Sequence, residues 1–138
     1  MNKIVINNCY GGFSLSMKAL QLLYKKRGEE YIYPYKEKWD PIEYRKCSLE
    51  ESDWLFKEDK GESFSDPNLL NEGICCYDID CPRHDKNLVE VVEELGDKAS
   101  GDCAKLKVVQ IPGNIYRIDE YDGAESIETP DTLDWITI

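Results

Sequence analysis

With 138 residues and 16.0 kDa, the chain has the size of one domain built around a single core. Hydrophobic residues make up 41% and charged residues 33%, the balance of a soluble globular domain rather than a disordered one. A net charge of −11 argues against long nucleic acid as a partner, because that binding depends on neutralising many phosphates. A small nucleotide stays open, since one or two arginines and a few backbone N–H groups hold a diphosphate inside an acidic protein.

No apolar run is long enough to cross a membrane, and the N-terminus lacks the basic-then-apolar build of a signal peptide. The expectation is a cytoplasmic protein whose first residue lies near the start of the fold. Ile4, Val5 and Ile6 form a β-branched run suited to a buried strand. Tyr10, Gly11, Gly12 and Phe13 then break the chain, and Ser14 or Ser16 caps the helix that follows. Two glycines between strand and helix permit positive φ and close approach to a ligand, and a helix start offers unpaired N–H groups to an anion. The plainer reading is a tight strand-to-helix turn. The pattern is neither a P-loop nor G-x-G-x-x-G.

Met17, Ala19, Leu20, Leu22, Leu23 and Tyr24 give the first helix its apolar stripe, with Lys25, Lys26 and Arg27 in its last turn and Gly28 as its stop. Glu30 to Tyr35 reads as a second strand with Tyr31, Tyr33 and Tyr35 on one face and Pro34 placing it near an edge. From residue 36 to 72 the periodicity fades, and the expectation is a surface excursion with one helical turn near Leu49 to Phe56, capped by Ser48. Ile74 to Ile79 reads as a third strand. The clearest helix follows, with Leu88, Val91, Val92 and Leu95 on one stripe, Asn87 as N-cap and Gly96 as stop. Leu106 to Ile111 and Ile115 to Tyr121 read as further strands, and Asp122-Gly123 as a hairpin turn into a short strand at Ser126-Ile127. These elements predict an α+β fold with two main helices, a mixed but mostly antiparallel sheet, and one domain over residues 1–138. A doubly wound α/β sheet is the alternative. The apolar tail (Trp135, Ile136, Ile138) and the edge-like tyrosines predict a homo-oligomer.

Several constellations compete for chemistry. Six cysteines without a sign of secretion read first as reduced packing thiols. Cys76, Cys81 and His84, with Cys75 or Cys9, form a possible zinc set that lacks paired Cys-x2-Cys knuckles. Cys9 beside a helix start, with His84 as base, outlines a thiol nucleophile. Carboxylate pairs such as Asp119 with Asp122 follow from abundance alone. Arg83, His84 and Asp85 precede the second helix as Gly11-Gly12 precede the first. If their strands are neighbours, Arg83 forks a phosphate in a shared crevice, with Tyr10, Phe13 or Tyr77 against a base or ribose. The plainer alternative is an Arg83–Asp85 surface pair. The ligand set expected on this reading is Tyr10, Gly11, Gly12, Phe13, Ser14, Tyr77, Arg83, His84, Asp85 and Asn87, with no cofactor and no metal.

Four blocks carry a resemblance: the opening Lys3-Ile-Val-Ile-Asn-Asn-Cys-Tyr-Gly-Gly-Phe-Ser-Leu-Ser16; Pro82-Arg-His-Asp85 with Leu88-Val-Glu-Val-Val-Glu-Glu-Leu-Gly96; Leu106-Lys-Val-Val-Gln-Ile-Pro112; and Ile118-Asp-Glu-Tyr-Asp-Gly123. Together they resemble a widespread family of small bacteriophage proteins. In size and layout the chain is similar to the anti-Thoeris sponge proteins, which bind the cyclic ADP-ribose signal of TIR-domain defence proteins and hold it without cleaving it. The resemblance implies a non-enzymatic counter-defence protein acting in the host cytoplasm. The alternatives are a nucleotide-processing enzyme using Cys9 or carboxylates, and a protein-binding inhibitor using the Trp39 to Phe56 stretch.

Overall fold

The computed structural model describes residues 2–130, so the predicted docking of Trp135, Ile136 and Ile138 lies outside the described residues. The element order is β1 (Asn2–Asn7), α1 (Met17–Lys26), β2 (Tyr33–Lys38), β3 (Glu43–Lys46), β4 (Trp54–Phe56), β5 (Ser63–Phe64), β6 (Gly73–Ile74), α2 (Lys86–Leu95), β7 (Leu106–Ile111), β8 (Arg117–Tyr121) and β9 (Ala124–Glu128). Short 3-10 helices at Pro67–Glu72 and Gly96–Ala99 complete it. The fold is α+β, and every strand pairing among the described residues is antiparallel. No described helix is long and apolar enough to cross a membrane.

Both main helices follow from their stripes. Leu20 and Leu23 of α1 meet Leu88, Val91 and Val92 of α2 in one core with Val5 of β1, Leu55 of β4 and Ile74 of β6. Truncating one of these leucines to alanine costs about 2–5 kcal/mol, as lost burial plus cavity. Ser16 caps α1 by accepting the Ala19 N–H at 3.1 Å. The cap of α2 is Asp85 rather than Asn87: its carboxylate accepts the Leu88 N–H at 3.0 Å, and Asn87 lies inside the helix. An ionised cap at a helix start also has the dipole in its favour.

The largest departure lies between residues 36 and 72. Instead of an excursion, this stretch contributes most of a five-stranded sheet in the order β5-β3-β2-β4-β6. Tyr35, Tyr44 and Phe56 are buried as a second core, with Trp54, Phe64 and Leu70 against them. Tyr44 stacks on Phe64 at 4.8 Å between ring centroids. Strands of two to four residues are too short to show an alternation in sequence, so the aromatic content was visible and its order was not. β2 is accordingly an interior strand starting at Tyr33, while Tyr31 packs edge-on to Tyr24 of α1. The helical turn expected near Leu49 is a single bonded turn closed by Ser52, and Trp54 onward is strand.

The expected strand at Ile74 to Ile79 ends at Ile74. The Asp78 side chain accepts the Cys75 N–H at 2.7 Å, and the Asp78 N–H returns to the Cys75 carbonyl, which folds the chain into a turn. β1 pairs with β7, from Asn2↔Ile111 to Asn7↔Leu106, whereas β6 pairs with β4 in the other sheet. The two strands expected to sit side by side, leading to Gly11-Gly12 and to Arg83, are therefore in different sheets.

Candidate functional site

The Gly11-Gly12 turn has the positive φ values expected of it, +123° and +92°. Its close approach is to the protein itself. The Gly11 N–H donates to the Asp122 carbonyl at 3.1 Å, and a Cβ on Gly11 would lie 2.7 Å from the Cys103 carbonyl oxygen. A Cβ on Gly123 would overlap the backbone nitrogen of Gly12. Two glycine turns distant in sequence thus meet backbone to backbone, while a Cβ on Gly12 would meet nothing within 4 Å. Tyr10 stands exposed, edge-on to Tyr121 at 6.5 Å.

Arg83 is likewise engaged. Its guanidinium donates to both Glu125 oxygens, at 2.6 and 2.9 Å, and its Cζ lies 3.6 Å from the centroid of the Phe13 ring. The fork expected for phosphate, or for Asp85, is filled by Glu125. Phe13 is the shelf under that fork. His84 pairs through Nδ1 with the Tyr116 hydroxyl at 2.8 Å, and Asp85 is the α2 cap. Arg83 and His84 therefore tie the α2 entrance to its surroundings and Asp85 caps the helix, while Asn87 lies in its first turn.

Two of the expected residues, Ser14 and Tyr77, do share an opening. A cleft of about 1020 Å³ lies at the start of α1, walled by β2 and its Trp39 extension, the Glu50–Trp54 segment, Cys75–Tyr77, and Lys98 with Gly101–Cys103. Lys18, Lys36 and Lys98 bring cations to it from three separate elements, and Glu37, Glu50, Asp53 and Asp102 bring carboxylates. Asp53 is already used, accepting the Glu37 N–H at 2.8 Å. Trp39 and Tyr77 stand on the lining with 71% of their surface exposed, while Trp54 is half-buried. Exposed indole and phenol rings beside lysines can stack a flat heterocycle and attract its phosphates.

Sequence reasoning missed Lys18, Lys36, Trp39, Trp54 and Lys98. Lys18 was visible as an off-stripe residue of α1, and both tryptophans stood out among charges. What was hidden was the sheet that carries Lys36 and Trp54 to the α1 start.

Cys75, Cys76 and Cys103 also line the cleft. Burial pushes the Cys75 and Cys76 thiols above the usual cysteine range, so both stay protonated at neutral pH. All six cysteines are free. Among the described residues no group of three His, Cys, Asp or Glu side chains is placed to hold a metal ion, so the possible zinc set of Cys76, Cys81 and His84 is not assembled. Burial likewise raises the Cys81 thiol, which borders Arg27 and Asp80. No family model, curated protein or solved structure matches the chain.

Proposed function

We propose that this chain is a non-catalytic binder of a small phosphorylated nucleotide, held in the cleft at the start of α1. The observation that supports it best is the lining itself: Lys18, Lys36 and Lys98 from three elements beside the exposed rings of Trp39 and Tyr77. The resemblance to phage sponge proteins narrows the ligand to a cyclic ADP-ribose isomer and the role to counter-defence in the host cytoplasm. A sponge needs slow release, and assembly as a homo-oligomer is the expected means of closing the open side of the cleft. Protonated thiols in its wall suit a site that holds its ligand rather than attacking it.

Titration calorimetry with cyclic ADP-ribose isomers, on the native chain and on Trp39→Ala, tests the reading. Saturable binding to the native chain and a loss of about 1–3 kcal/mol in the variant are expected, the usual worth of one base stacked on an aromatic ring. Binding that ignores Trp39 would move the site out of this cleft. A second reading, a protein-binding inhibitor, draws on the same exposed Trp39, since exposed indoles anchor protein interfaces. It predicts no calorimetric signal with any nucleotide.

A further inference from the structure

We infer that the first turn of α1 is a phosphate subsite, formed by the Ser14 hydroxyl, the Met17 and Lys18 N–H groups, and the Lys18 and Lys98 amines; the inference rests on the reading of the cleft as a nucleotide site. A helix leaves its first N–H groups without intrahelical partners. In α1, the Ser16 Oγ takes one of them, from Ala19, while its carbonyl accepts the first intrahelical bond, from Leu20. The N–H groups of Met17 and Lys18 bond nothing among the described residues, and both residues line the cleft.

Ser14 supplies the independent observation. It is only 5% exposed, it lines the cleft, and its hydroxyl has no hydrogen-bond partner among the described residues. Its Oγ is not among the sealed, unbonded side-chain atoms, so in this otherwise buried residue the hydroxyl is reached from the cleft and is able to donate to an incoming acceptor. Its backbone is fixed, because the Ser14 carbonyl accepts the Gly101 N–H at 3.0 Å and Leu15 bridges to Ser100. Gly101 leaves room for it: a Cβ there would overlap Ser14 Oγ.

The charges agree. The Ser16 hydroxyl donates to the Lys98 carbonyl at 2.6 Å, tying that residue to the α1 start. Lys18 and Lys98 have no carboxylate partner among the described residues, whereas Lys3, Lys26, Lys46, Lys57 and Lys60 each have one. In a chain of net charge −11, the first turn of α1 carries no acid. Two N–H donors and one hydroxyl at a helix start, with Lys18 and Lys98 on the same cleft lining, fit the oxygens of a phosphate mono- or diester.

Calorimetry with inorganic phosphate, AMP and adenosine tests this on the native chain, Ser14→Ala and Lys98→Ala. The subsite predicts that AMP binds at least tenfold tighter than adenosine, and that each substitution weakens AMP at least fivefold while leaving adenosine unchanged. Lys98 is exposed, so its variant serves if Ser14→Ala fails to fold. AMP binding equal to that of adenosine, or unmoved by both substitutions, overturns the subsite and leaves the nucleotide reading standing. Phosphate binding lost in Ser14→Ala, with neither AMP nor adenosine bound, supports the subsite and overturns the nucleotide reading instead.

Discussion

Arg83 and Glu125 form a two-pronged ion pair across 42 residues of sequence, with the Arg83 Cζ 3.6 Å from the centroid of the Phe13 ring. Glu125 is 6% exposed in its side chain and also accepts the Asn7 N–H at 2.8 Å. Asn7, itself fully buried, donates to the Cys9 and Gly123 carbonyls and accepts the Lys105 N–H. The β8–β9 hairpin is thereby fastened to β1 and to the loop before α2. Removing one partner leaves the other charge buried and unpaired, which is the costly way to break such a pair.

Arg83→Ala is therefore a stability variant. A loss of about 2–4 kcal/mol is expected in denaturant unfolding, somewhat below the full cost of a wholly buried pair because Arg83 keeps some exposure. Ligand affinity of the folded fraction should not change. An unchanged unfolding midpoint together with weakened nucleotide binding would return Arg83 to the ligand site.

Gly123→Ala tests the lock between the two glycine turns. Gly123 has φ of +87°, and an added Cβ meets the Gly11 and Gly12 nitrogens, so both strain and collision oppose it. A lowered melting temperature is expected. Gly12→Val is different, because a Cβ on Gly12 meets nothing within 4 Å and only the φ of +92° opposes it. Gly12→Val should destabilise less than Gly123→Ala and leave nucleotide affinity intact, as thermal melts and calorimetry on the pair will show.

The fold was legible where periodicity was long. Leu88, Val91, Val92 and Leu95 announced α2, and Leu106 to Ile111 announced β7 to the residue. Asp122-Gly123 announced its hairpin. The site was less legible because it depends on long-range pairing. Glu125 looked like one acid among 28, and nothing local marks it as the partner of Arg83. Ser14 and Tyr77 were singled out, yet the lysines and tryptophans around them come from strands whose order no local pattern encodes.

Alkaline pH should weaken the fold through Tyr24. Burial, with the nearby Asp80 adding to it, pushes its phenol up to about 12, and its hydroxyl donates to the Asp78 carbonyl at 2.8 Å. The folded state then holds its proton more tightly than the unfolded chain, whose tyrosine titrates near 10. Stability from this group is full below pH 10 and is lost as pH rises from about 10 to about 12. Tyr24→Phe should flatten that part of the unfolding-versus-pH curve. A curve of unaltered slope would assign the alkaline loss to other groups.

Thiol labelling should separate the cleft cysteines. Cys103 is exposed, whereas Cys75 and Cys76 are half-buried with thiols raised by burial. Iodoacetamide at neutral pH is expected to modify Cys103 well before Cys75 or Cys76, read by peptide mass spectrometry. Bound nucleotide should protect all three, since they share its cleft.

A binder and an enzyme differ in whether the nucleotide comes back unchanged. The direct measurement is to incubate the protein with a cyclic ADP-ribose isomer, remove unbound ligand by gel filtration, denature the protein and identify what is released by liquid chromatography and mass spectrometry. Recovery of the intact cyclic nucleotide in stoichiometric amount is the result expected of a binder. Release of a linear or otherwise altered product would contradict it and make the chain an enzyme.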